Sequence, residues 1–169
     1  MVSNETINVI KRNGRGKESL DIDKIHSMVG FATEGITGVS ASHVEMNSGL
    51  QFFDGISTDD IQQILIKSAN DLISLESPNY QYVAARLLLF SLRKNLFHRL
   101  WEHPKFIDHI KKLIDLGLYD KGILENYTEA EIDRMGMWID HERDYSFTYA
   151  GLRQVMDKYL VQDRSTGEI

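Results

Sequence analysis

Between residues 10 and 24 the chain places five cations, Lys11, Arg12, Arg15, Lys17 and Lys24, among three acids, Glu18, Asp21 and Asp23. The whole chain is acidic, with a net charge of −6, and residues 120–145 hold eight acids against three cations. Cations gathered around a turn suit a small anion: a guanidinium meets phosphate oxygens two at a time, and lysine acts as a mobile point charge. A nucleotide fits such a local site better than a duplex, because binding along nucleic acid needs a broad basic face. Lys11 and Arg12 are adjacent, so in a strand they point to opposite faces and do not contact one ligand equally. Taken alone, the pair also reads as a solvated hairpin edge protected against strand addition. Lys24 falls in the first turn of a helix, where the macrodipole disfavours a cation by roughly a few tenths of a kcal/mol. A bound anion would relieve that misfit.

Other chemistries are poorly provided for. The chain has no cysteine, which excludes disulfides, thiolate metal sites and thiol chemistry of its own. His98, His103 and His109 do not stand four apart and no HExxH occurs, so no metal site is expected and the histidines read as structural or surface residues. Neither GxxxxGK[ST] nor GxGxxG is present, so nucleotide binding here would not use a glycine cradle. No catalytic constellation stands out. The hydrophobic fraction of 42% and charged fraction of 26% are those of an ordinary globular chain. No apolar run approaches ~18 residues and no signal-type apolar stretch opens the chain, so a cytoplasmic protein with no membrane contact is expected.

The elements that must position these residues follow from pattern. Residues 7–13 and about 17–22 read as two strands around Asn13-Gly14, with Arg15-Gly16 lengthening the turn. Asp21 or Asp23 caps a helix carrying Ile25, Met28, Val29 and Ala32 at helical spacing, closed by Gly35 and Gly38. A second helix opens near Ser40 or Ser42, with Val44, Leu50 and Phe53 on its apolar side. Asp54-Gly55 breaks it, and Ser57 with Asp60 resembles a capping box opening a third helix striped by Ile61, Ile64, Leu65, Ala69, Leu72 and Ile73. A fourth helix, from about Tyr80 to Arg99, is apolar nearly all round and should lie deepest. Beyond residue 100 come shorter helices: Lys105 to Leu116, one opened by the capping box Thr128-Glu131, and one near Ser146 to Lys158. His141-Glu142-Arg143-Asp144 reads as an ion-pair knot. Tyr159-Leu160-Val161 reads as a strand entering a hairpin that breaks off at Ile169, which suggests the front of a longer polypeptide. The expected fold class is α+β, mainly α: a small β-hairpin or sheet capping a four-helix bundle, followed by further helices.

Val9-Ile10-Lys11-Arg12-Asn13-Gly14 and Glu18-Ser19-Leu20-Asp21-Ile22-Asp23-Lys24-Ile25 closely resemble the start of an ATP-cone, the regulatory nucleotide-binding module of ribonucleotide reductases. The resemblance continues through Phe52-Phe53-Asp54-Gly55-Ile56-Ser57-Thr58, Pro78 to Arg86, Asp140 to Asp144 and Lys158 to Arg164. Together these are similar to the N-terminal part of the large subunit of aerobic class I ribonucleoside-diphosphate reductases. The resemblance implies an ATP-cone over residues 1–98 and, over 99–169, the helical beginning of the barrel domain. It implies an enzyme whose catalytic cysteines lie beyond this chain, leaving the fragment itself inactive. ATP or dATP, with Mg²⁺, would be the allosteric effector. Lys11 and Arg12 would meet the triphosphate, Glu18 and Asp21 the base or sugar, and Lys94 a phosphate. Val9, Lys24, Ile25, Thr58 and Gln62 complete the implied pocket. Gln62 departs from the family, where histidine is frequent and helps couple dATP to shutdown. The implied partners are the rest of the large subunit, the radical-generating small subunit and a second full-length chain, with no nucleic acid. The rival reading is a helical oligomerisation module that binds no nucleotide. A cone-bearing DNA-binding regulator would carry a Cys-rich zinc ribbon, which a cysteine-free chain lacks.

Overall fold

The computed structural model describes residues 7–11, 16–49, 51–98 and 102–161. Two short strands, β1 (Asn8–Ile10) and β2 (Lys17–Ser19), pair antiparallel, with Val9 opposite Glu18. They are shorter than expected because the chain turns at Leu20 and Asp21 into α1 (Ile22–Thr33). Asp21 is the N-cap, its carboxylate accepting from the Lys24 backbone N–H at 3.2 Å. The Asn13-Gly14 turn and Arg12 lie outside the described residues.

Helix α2 (Ala41–Gly49) buries Val44 and stops before Phe53, which is 60% exposed rather than on its apolar side; Leu50 lies outside the described residues. After α2 the chain forms a third strand that periodicity did not reveal, β3 (Ile56–Ser57), parallel to β1 and completing the order β2-β1-β3. Asp54 makes that pairing possible. Its carboxylate accepts from the Asn8 backbone N–H at 2.8 Å and from the Asn8 side chain at 3.0 Å. Gly55, at φ 82°, then returns its own N–H to the Asn8 carbonyl. Those two donations hold the Asp54 carboxyl below its usual range.

Ser57 is both the last residue of β3 and the N-cap of α3 (Thr58–Asp71), accepting from the Asp60 N–H at 3.0 Å. A short connection, residues 72–79, leads to α4 (Tyr80–Phe97), and two helices packed across so short a link run antiparallel. α4 is the central helix, burying Val83, Ala84, Leu87, Leu88 and Phe90 among others. It ends at Phe97 rather than Arg99, because His98 turns left-handed at φ 57°. Arg86 of α4 donates to the carbonyls of Ala32 at 3.4 Å and Glu34 at 2.6 Å, satisfying acceptors that α1 leaves open at its C-terminus.

The remainder comprises α5 (Phe106–Asp115), α6 (Gly122–Asn126), α7 (Glu129–Gly136), a 3₁₀ helix (His141–Ser146) and α8 (Tyr149–Lys158). The Thr128-Glu131 capping box forms as expected. Ile107, Ile110 and Ile132 make a small separate core between α5 and α7. α8 behaves differently: Leu152 joins the main core, with Tyr145, Tyr149 and Met156 packed against it. Tyr159-Leu160-Val161 is not a strand. The N–H groups of Tyr159 and Leu160 both turn back to the Val155 carbonyl and close the helix, while residues 162–169 lie outside the described set.

A histidine cluster joins these parts. The His103 and His141 rings stack 3.5 Å apart, and Phe97 meets His103 and His109 edge-on. Burial holds His103 below its ordinary value, with His141 adding to the effect, and burial does the same to His109. A histidine depressed in the folded state is protonated first in the unfolded chain. Its contribution is therefore complete above about pH 6.5 and is lost as pH falls toward the lowered value. Thermal unfolding should show Tm declining on that acid side, with a shallower decline for His103→Phe. An unchanged slope in the variant would assign the loss to other groups.

Candidate nucleotide-binding site

The sheet brings the N-terminal candidates together by register. Val9 lies opposite Glu18, so Lys11, two residues on, falls diagonal to Glu18 on the same face. Their ammonium and carboxylate pair at 2.7 Å, and the hydrogen bond from Lys11 holds the Glu18 carboxyl below its usual range. Lys24 pairs with Asp21 at 3.3 Å. The Asp21 carboxyl is likewise lowered, first by the Lys24 backbone N–H and then by its ammonium. All four side chains are solvent-accessible. Val9 and Ile25 are buried in the core beneath them.

The other wall comes from α3 and α4. β3 places Ser57 opposite Ile10, so Thr58, the first residue of α3, stands at the β1 end from which Lys11 emerges. One turn on, Gln62 is 6% exposed and donates from Nε2 to the Leu87 carbonyl of α4 at 2.9 Å. Its amide therefore ties α3 to α4. Because the two helices are antiparallel, moving from Gln62 back to Thr58 corresponds to moving from Leu87 toward Lys94. Lys94 is exposed in the last turn of α4, roughly 10 Å along the axis from Leu87. The sheet edge, the start of α3 and the end of α4 thus share one end of the bundle. Arg12 lies outside the described residues.

A groove of about 800 Å³ lies between α5, α7 and the 3₁₀ helix, lined by Phe97, His103, Phe106, Arg134, Met137 and Ile139 among others. No group of three or more His, Asp or Glu among the described residues could hold a metal ion, and no helix there is long and apolar enough to cross a membrane.

The model of the ATP cone domain matches residues 7–95. The chain belongs to the ATP-cone family. The match spans every nucleotide candidate and stops one residue past Lys94. Over 166 residues, 98% of its length, this cone-bearing chain is 48% identical to ribonucleoside-diphosphate reductase 1 subunit alpha of Escherichia coli (strain K12). It is 49% identical to the subunit of the same name from Salmonella typhimurium and 48% identical to the subunit alpha of Haemophilus influenzae, again over 166 residues and 98% of its length. The chain spans 22% of the length of each of these relatives, corresponding to their N-terminal region.

Sequence reasoning passed over three residues that organise this region. Asp54 reads in the sequence as a helix breaker, yet it anchors β1. Arg86 lay inside an apolar run. Arg93, 4% exposed, pairs with Asp144 at 2.9 Å. The expected knot at residues 141–144 keeps one internal pair, His141 with Asp144 at 3.8 Å, but its shortest contact is to a cation from α4, and Glu142 and Arg143 form no ion pair among the described residues. A buried arginine near the end of an apolar helix was the one signal available.

Proposed function

We propose that this chain is the N-terminal allosteric part of a ribonucleoside-diphosphate reductase large subunit. In this reading, residues 1–98 form the ATP-cone and residues 99–169 begin the barrel domain. ATP or dATP binds at the sheet end of the bundle and sets the activity of an enzyme whose chemistry lies elsewhere. The observation that carries the proposal is the convergence, inside the family match, of two accessible cation–carboxylate pairs with the start of α3 and the end of α4.

The residues fit a nucleotide triphosphate. Lys11 and Lys24 are neutralised by Glu18 and Asp21, carboxylates that a phosphate can displace from the ammonium groups. The released carboxylates then face the sugar or base, where they accept hydroxyl and amine hydrogens. Thr58 and Lys94 close the pocket from α3 and α4, Arg12 adds to the phosphate side, and Val9 and Ile25 form its apolar floor. Gln62 links the pocket to the α3–α4 contact. Mg²⁺ accompanies the triphosphate, because these few cations neutralise it incompletely. The small radical-generating subunit, a second large subunit and a cytoplasmic setting belong to the same proposal. The chain's lack of cysteine agrees with a regulatory rather than catalytic share of the enzyme.

Calorimetric titration of the folded chain with Mg-ATP and Mg-dATP tests the reading. Saturable heat is expected with at least one of them at or below about 1 mM ligand, a modest affinity of roughly −4 kcal/mol or better. A folded sample giving no heat with either nucleotide would leave the helical interaction module as the better description.

A further inference from the structure

Lys94 and Arg93 are neighbours in the last turns of α4 and do opposite things. Lys94 is exposed at the proposed pocket, whereas Arg93 turns inward and grips the segment that follows the family match. Its guanidinium donates to Tyr145 Oη at 2.9 Å, to Asp144 Oδ2 at 2.9 Å and to the His141 carbonyl at 3.4 Å. It also lies 5.1 Å from the centre of the Tyr145 ring, and the Arg86 guanidinium lies 5.7 Å from the same centre. All three acceptors belong to the 3₁₀ helix, which leads through Thr148 directly into α8, and α8 packs along α4. Arg93 Nε is buried and finds no acceptor among the described residues.

We infer that Arg93 makes the 3₁₀ helix and α8 the mechanical output of the nucleotide pocket. The inference rests on the pocket proposed above. An α-helix is stiff, so any rotation or shift of the last turns of α4 that carries Lys94 toward a phosphate carries Arg93 with it. The guanidinium fork is rigid and its hydrogen bonds weaken steeply with misalignment, so such a shift changes the grip on residues 141–145. The grip is also incompletely satisfied in the present arrangement. A displaced arrangement that gives Nε an acceptor offsets the loss of one of the other bonds, which is what a two-position element requires. Effector contact on one side of α4 is thereby read on the other, in residues outside the cone match and covalently continuous with the rest of the chain.

Hydrogen–deuterium exchange of the full chain, with and without saturating Mg-ATP, tests this. Exchange at residues 141–158 should change by about fivefold or more on binding, the lower end of ordinary allosteric coupling. Arg93→Lys keeps the charge and loses the fork. It should bind Mg-ATP within about fivefold of the parent, as judged by calorimetry, yet show no transmitted change at 141–158. Tyr145→Phe removes one acceptor while keeping the ring, and should weaken the transmitted change; it decides the matter if Arg93→Lys fails to fold. Binding heat with unchanged exchange at 141–158 in the parent overturns the relay alone. The same transmitted change in both variants overturns it too. Absence of any binding heat overturns the pocket, and the relay falls with it.

Discussion

Arg93→Ala should destabilise the chain by roughly 3 kcal/mol, because it removes one partner of a buried ion pair and leaves the others without their donor. The expected figure sits at the lower end for buried pairs, since Asp144 remains 36% exposed and regains water once its partner is gone. The Tyr145 hydroxyl and the His141 carbonyl lose a donor as well, and the space left against the Tyr145 ring adds a packing loss. Asp144→Asn should cost less, about 1 kcal/mol, because a neutral acceptor remains in place. Urea unfolding of the three proteins checks both values. Equal losses in Arg93→Ala and Asp144→Asn would mean that the ion pair itself, rather than the fork reaching three acceptors, carries the effect.

Lys94→Ala should weaken Mg-ATP binding by about 1.5–3 kcal/mol, the range for a hydrogen bond to a charged group, which is roughly tenfold to more than a hundredfold in Kd. Arg153→Ala is the matched control. Arg153 is a partly exposed cation on α8 that pairs with Asp157 at 3.6 Å, so its removal changes net charge identically without touching the proposed pocket. Because the chain is acidic, any general electrostatic contribution to nucleotide attraction would appear in both variants. The calorimetric difference between them isolates the local contact. Matching losses would reduce the role of Lys94 to overall charge.

Several features of the site were legible from residue type and spacing. Asp21, Ser57 and Thr128 cap the helices that follow them, because a short oxygen-bearing side chain there satisfies a backbone N–H three residues on. The α1 stripe of Ile25, Val29 and Ala32 is buried for the same kind of local reason: their spacing places them on one face. α4 lies deepest because its centre offers no polar face to water. Phe53 shows the limit of such reasoning. It continued the apolar spacing of α2, but the helix had already ended, so the periodicity ran on without a helix to carry it. Tyr159-Leu160-Val161 failed similarly: the backbone N–H groups of β-prone Tyr159 and Leu160 close α8 on the Val155 carbonyl instead of opening a strand.

By itself, then, the sequence determined the longer helices, several of their caps, the paired strands β1 and β2 and the absence of thiol chemistry, all of which depend on residues within a few positions of one another, while α6 and the 3₁₀ helix escaped it. Tertiary structure decided what those pieces face. β3 is held beside β1 by Asp54, which reaches Asn8 from 46 residues away. Gln62 is turned toward the Leu87 carbonyl by the packing of α3 on α4, and Arg93 finds Asp144 across 51 residues. The cause is physical: a buried donor must find an acceptor wherever folding brings one, and that partner leaves no trace in the local pattern.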